Sequence, residues 1–268
     1  VDNLLSRVFR RFKRLTSSFK KLSVLSYVAL SFLLGLSNLS AQEAAQIIQD
    51  GFEQKISSFW LLNKIEQDSI LIQNQYVKSG KTSLRIQLFP GENKDTGSDG
   101  EATERAELQE GKEIFLPLGT EATYNISFLL PPDFPIVDRR LVIMQWKQLC
   151  ANCFLKRSPI LAERYRNGKL YITVNRAEGQ QTIFEETSDI RGQWIDMAYQ
   201  VRFSANPDQG FVKIWKNGVL VAEYKGALGY EDDRPFTYFK FGLYRDSLAI
   251  PMVIYFDDFR REIISTTP

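Results

Sequence analysis

The sequence predicts an all-β protein built as a two-sheet antiparallel β-sandwich, and three observations carry that expectation. Short runs alternate apolar and polar residues with the period of a strand, as in WIDMAYQVRFS, where Ile195, Met197, Tyr199, Val201 and Phe203 share one face. Two Asn-Gly pairs, Asn167-Gly168 and Asn217-Gly218, sit between such runs, which is the strongest short-range hairpin signal. Helical periodicity is confined to the first 41 residues and a short turn near residues 41 to 50. A chain of 268 residues, 44% of them hydrophobic and 13% aromatic, can bury one large core, and sandwiches of roughly 200 to 250 residues are commonly one domain.

Taken in order, residues 1–41 stand apart. Arg7, Arg10, Arg11, Lys13, Arg14, Lys20 and Lys21 precede the apolar run LSVLSYVALSFLLGL, and small residues follow as far as Ala41, the layout of a secretory signal. The expectation is a signal peptide over 1–41, a single domain over 42–268, and a secreted or periplasmic protein. The alternative is a membrane anchor over residues 22–39, since about 18 apolar residues just span a bilayer; only then would a membrane be a partner. This leader holds seven of the 34 basic residues and one of the 32 acidic ones, so the remainder carries 27 basic and 31 acidic residues, a balance of −4. Such a surface is no generic polyanion binder and speaks against nucleic acid as a partner; attraction for an acidic ligand has to come from a local cluster.

Next, KSGKTSLRIQLFPG predicts a strand around Leu84, Ile86 and Leu88, closed by Pro90 and Gly91. The loop GENKDTGSDGEAT, residues 91–103, is a long polar insertion whose plainest reading is a mobile surface loop. It could overhang the face of the strand that follows. In that strand, ERAELQ, Arg105, Glu107 and Gln109 share a face opposite Ala106 and Leu108. EATYNISFLLPP predicts another strand, stopped by two prolines. In LVIMQWKQ, Leu141, Ile143, Gln145 and Lys147 share a face, with Trp146 opposite. Cys150 and Cys153 form CANC; without a second such pair or any histidine a closed zinc site lacks ligands. A small loop disulfide or two free thiols remain. Trp194 and Trp215 are expected in the core or packed on a hairpin rather than as sugar platforms.

In YFKFGLYRD, Tyr238, Lys240 and Tyr244 face away from Phe239, Phe241 and Leu243, and Gly242 leaves room for something to approach the backbone. Lining one sheet, these three strand faces would form a groove of cations, amides and phenols suited to an anionic sugar chain. Taken singly, each has a plainer reading. Arg105 and Glu107 could be a cross-strand ion pair, and the tyrosine strand a solvated sheet surface.

In order, RAEL, QW with a polar residue after it, SPILAERYRNGKLYI, GQWIDMAYQVRFS with GFVKIWKNG, YFKFGLYR and IYFDDFR resemble the heparin-lyase and glucuronan-lyase group of polysaccharide lyases. The short motifs are also similar to those of alginate lyases, which show R-[ST]-E-L, Q-[IV]-H and Y-x-K-x-G-x-Y. The resemblance spans residues 50 to 262. It implies a jelly-roll, concanavalin-like sandwich, an anionic uronic-acid polysaccharide such as glucuronan or a heparin-like chain as substrate, and β-elimination as the reaction. It also implies roles by position: Tyr244 as the acid, or acid and base together, and Gln145 and Arg105 neutralising the uronate carboxylate. Glu107, Tyr238, Lys240 and Arg245 are expected as substrate contacts.

One departure matters. Where the family has histidine, this chain has Lys147, and it contains no histidine. Lysine serves as a base only when its ordinary pKa of about 10.4 is lowered by burial or by neighbouring cations such as Lys240 and Arg105. Two further readings stay open: Tyr244 as base and acid with Lys147 only holding the carboxylate, and a non-catalytic carbohydrate-binding protein on the same fold. A glycoside hydrolase would need paired carboxylates along one strand, and no E-x-D-x-x-E run occurs. No cofactor is required; calcium is left open at the acidic loop and at Asp257 and Asp258. A monomer is expected.

Overall fold

The computed structural model describes residues 47–63, 65–97, 99–151, 157–176, 179–231 and 233–266. The leader expected over residues 1–41 lies outside them, as does Cys153. Among the described residues seventeen strands follow one another. The first seven are β1 (Ile47–Asp50), β2 (Trp60–Asn63), β3 (Ile70–Gln73), β4 (Ser83–Leu88), β5 (Asp95–Thr96), β6 (Ala102–Glu110) and β7 (Leu116–Pro117). Then come β8 (Thr120–Leu129), β9 (Leu141–Gln148), β10 (Leu161–Arg166), β11 (Lys169–Arg176) and β12 (Gly179–Glu186). The last are β13 (Trp194–Arg202), β14 (Phe211–Lys216), β15 (Val219–Lys225), β16 (Phe236–Asp246) and β17 (Met252–Thr266). The helical turn expected near residues 41 to 50 is replaced at Ile47–Asp50 by strand, since β1 pairs with β17.

Two antiparallel sheets make the sandwich. One runs β15-β14-β13-β8-β17-β4-β3; the other, which carries the site, runs β12-β11-β10-β9-β16-β6-β2. Alternation decides what lies between them. Ile195, Met197, Tyr199 and Val201 of β13 point inward while its intervening residues do not. Facing them, Trp146 of β9 packs on Phe239 of β16 with ring centroids 4.7 Å apart, and Phe241 meets Trp60 edge-on at 4.9 Å. Trp60 and Trp146 are therefore the core indoles. Trp194 and Trp215 are instead half-buried at outward positions of β13 and β14.

Both Asn-Gly pairs close hairpins, β10–β11 and β14–β15, with Asn and Gly all at positive φ (52° and 79°; 49° and 78°). That is the backbone of a type I′ turn. Two buried polar links cross the core. The Tyr199 hydroxyl donates to Glu163 of β10, and Arg261 of β17 reaches Glu110 of β6 at 2.7 Å.

Candidate active site

The site is built on β6, β9, β10 and β16, whose register sets the faces. Lys240 pairs with Gln109 on one side and Gln145 on the other, while Tyr244 pairs with Arg105. Arg105, Gln145, Lys147, Tyr238 and Tyr244 line one cleft of about 220 Å³. These are the four expected catalytic residues and one expected contact, from three separate strands. The guanidinium carbon of Arg105 lies 4.4 Å from the centre of the Tyr244 ring, which fixes the phenol beside it.

Glu107 and Lys240 lie beneath this lining, 2% and 5% exposed. Glu107 accepts a hydrogen bond from the Gln145 amide and stands 3.5 Å from both Arg105 Nη1 and Lys240 Nζ. Neither position, both expected as substrate contacts, is on the cleft lining; they form a charged layer under the floor, and Arg105 and Glu107 pair along β6 rather than across strands as the plainer reading had it. Arg245, the other expected contact, is also off the lining. It is fully buried on the opposite face of β16, bound to Glu104 at 2.9 Å, because residue 245 has the parity of Phe241 and Leu243.

Gly242 also has a different purpose from the one expected. Its φ is 136°, and a Cβ there would lie 2.3 Å from the Ala106 carbonyl oxygen. The space is taken by the β6 backbone, so the glycine permits a close strand seam, not ligand approach.

In β9 the expected face breaks halfway. Glu163 of β10 pairs with Met144, but the next residue, Arg164, pairs with Val142, skipping Ile143. This bulge turns Val142 toward the cleft and Leu141 and Ile143 into the core, whereas strict alternation placed Leu141 and Ile143 with Gln145 and Lys147.

Lys147 sits with its ammonium donating to the Arg157 carbonyl at 2.9 Å. Burial pushes its pKa down to about 8, and the positive charges of Lys240 and Arg105 add to this against Glu107. Tyr238, stacked on Phe115 at 4.9 Å, is pushed up to about 12 by burial and by the Glu107 charge. The loop at 91–103 is partly a strand: β5 pairs with β6, and Asp95, Thr96 and Gly97 form one wall of the cleft. Sequence reasoning missed Arg140, Arg157 and Arg164, which also line it. In LAERYR, Ala162 and Arg164 alternate with Leu161, Glu163 and Tyr165, a pattern that could have placed Arg164 on the cleft face.

Cys150, on the cleft wall, is in a disulfide. Among the described residues no group of three or more histidine, cysteine or acidic side chains is arranged to hold a metal. Asp257 accepts hydrogen bonds from the backbone amides of Lys78 and Ser79.

A family model described as polysaccharide lyase matches residues 44–260. No curated protein matches the sequence. Among solved structures, endo-β-1,4-glucuronan lyase from the fungus Trichoderma reesei is 20% identical with a TM-score of 0.60, over 79% of this chain and 96% of that one. Alginate lyase A1-II′, a member of polysaccharide lyase family-7, is 13% identical with a TM-score of 0.55, over 78% and 96%. The cellulose induced protein Cip1 is 14% identical with a TM-score of 0.53, over 82% and 97%. Likeness at these identities establishes the shared fold.

Proposed function

The chain belongs to the polysaccharide lyase family, and from that membership we propose that it is an exported enzyme cleaving a glucuronate-type polysaccharide by β-elimination. The observation that carries this reading is the convergence of Lys147, Tyr244, Gln145 and Arg105 on one cleft. Arg105 and the Gln145 amide receive the uronate carboxylate, which makes the C5 proton acidic and stabilises the enolate-like transition state. Lys147, in its neutral form, takes that proton. The electron pair forms the double bond to C4, the bond to O4 breaks, and Tyr244 delivers a proton to the leaving oxygen. Glu107 holds the amide and both cations in place from below.

Support for lysine in the histidine's place comes from the same packing. A buried amine beside two cations is a far stronger candidate base than an exposed one, because half its population is neutral near pH 8. Trichoderma reesei glucuronan lyase shares the fold, and glucuronan is the first polymer to try.

Incubation with glucuronan, heparan-type chains, hyaluronan and alginate, followed by ultraviolet absorbance, separates elimination from hydrolysis, since only elimination leaves a conjugated double bond. A rising signal on a glucuronate polymer is expected. Tyr244→Phe keeps the ring and loses the hydroxyl, so turnover should fall at least about 100-fold while binding stays within a few fold. Silence on every polymer with binding retained would favour the non-catalytic carbohydrate-binding reading.

A further inference from the structure

Four arginines line the cleft, and three of them face carboxylates. Arg105 lies 3.5 Å from Glu107, Arg140 lies 2.6 Å from Asp99 and from Asp246, and Arg157 lies 3.3 Å from Asp233. Arg164 is different. Its side chain reaches the cleft although the residue is only 6% exposed, and its Nε donates to Thr173 Oγ1 at 3.0 Å. Among the described residues no carboxylate stands within ion-pair distance of it, and the groups whose charges act on it are Tyr171, Arg140 and Tyr244. The neighbouring Glu163 points the other way, into the core, toward Tyr199.

A buried guanidinium stays charged, and a buried charge without a counter-charge is costly. A bound anion would offset that cost. We propose that Arg164 is an anion-binding subsite, taking the carboxylate or sulfate of a sugar neighbouring the one that is cut. The inference rests on the uronate-lyase reading of the cleft and narrows its substrate class to chains whose neighbouring sugars are also acidic.

The register gives the subsite its place. Gln145 of β9, Ala162 of β10 and Thr173 of β11 form one row across the sheet. With strands about 4.8 Å apart, the backbone at Thr173 lies roughly 10 Å from that at Gln145. Tied to Thr173, the Arg164 guanidinium is held toward the far end of that row, beyond the small Ala162. A chain crossing the strands would present one acidic group to Gln145 and Arg105 and a second to Arg164.

The test is the calorimetric affinity of a tetraglucuronate, a heparin-type tetrasaccharide and an unsulfated hyaluronan tetrasaccharide. Wild-type Arg164 and Arg164→Gln are compared, both with Tyr244→Phe present to stop cleavage. Arg164→Gln should weaken tetraglucuronate at least about tenfold, the worth of one charge-assisted hydrogen bond. Hyaluronan, whose acidic sugars alternate with neutral ones, should change less than about twofold, and the heparin-type arm tells whether sulfate serves as well as carboxylate. Melting should be unchanged or rise, because the variant relieves a buried charge, and Arg164→Lys should bind between the two. Equal losses for tetraglucuronate and hyaluronan, a change under twofold for tetraglucuronate, no binding of it by the Arg164 form, or a lowered melting temperature would each overturn the proposal. Because the readout is binding, an absence of elimination would strike the catalytic reading without touching this affinity ratio.

Discussion

At the scale of single residues, burial moves different acids in opposite directions, and the site exploits this. Lys147 is driven down because its charged form is the one water would stabilise, whereas Tyr238 is driven up for the same reason. Of these two, the lysine alone is thereby brought near working pH. Glu163 shows the structural counterpart. Desolvation raises its pKa to about 8, so it is largely protonated at neutral pH. A carboxyl whose folded pKa exceeds its unfolded value near 4.5 stabilises fully below about pH 4.5 and loses that contribution as pH rises through about 8. Glu163→Gln, neutral at every pH, should therefore show a melting temperature that gains on the wild type progressively between pH 5 and pH 8, by several degrees. Differential scanning calorimetry across that window checks it; a constant offset would contradict it.

At the scale of elements, the strand faces were legible in the sequence because alternation is local. Tyr238 and Tyr244 on one side of β16 and the three inward aromatic and aliphatic residues on the other followed from period two alone. What local alternation could not carry was register between strands. The β9 bulge depends on how β10 pairs with it, so Val142 was missed and Leu141 and Ile143 were placed on the wrong face. Gly242 was recognised as a gap, but which neighbour fills the gap is a tertiary fact. Gly242→Ala would push a Cβ against the β6 backbone at a φ of 136°. The expected cost is about 2–4 kcal/mol of stability, with Tyr244 displaced and activity lost even where the protein still folds. Chemical denaturation reads the first and elimination rate the second; a stability loss under about 1 kcal/mol would contradict the seam assignment.

At the scale of the whole molecule, residues 42–268, with a balance of −4, concentrate five cationic side chains on one cleft lining, against two carboxylates. The sequence signalled that a local cluster was needed, and the ordered motifs located two of its five members, Arg105 and Lys147. Arg140 and Arg157 were not legible because each lies outside the strands, brought in by the chain leading into β9 and the segment before β10. The underlying acid Glu107 was read as a surface contact because one strand cannot reveal that two neighbours cover it. The central claim is that Lys147 does the work of the absent histidine. It is tested most directly by kcat/KM for glucuronan elimination as a function of pH, for wild type and Lys147→Ala, since this profile reports the free enzyme's essential groups. The account predicts a wild-type rate that rises with pH through about 8 as Lys147 loses its proton, and a variant slower by roughly 100-fold or more without that limb. A variant that keeps its rate within a few fold and the same rising limb would contradict it, and would assign proton abstraction to Tyr244.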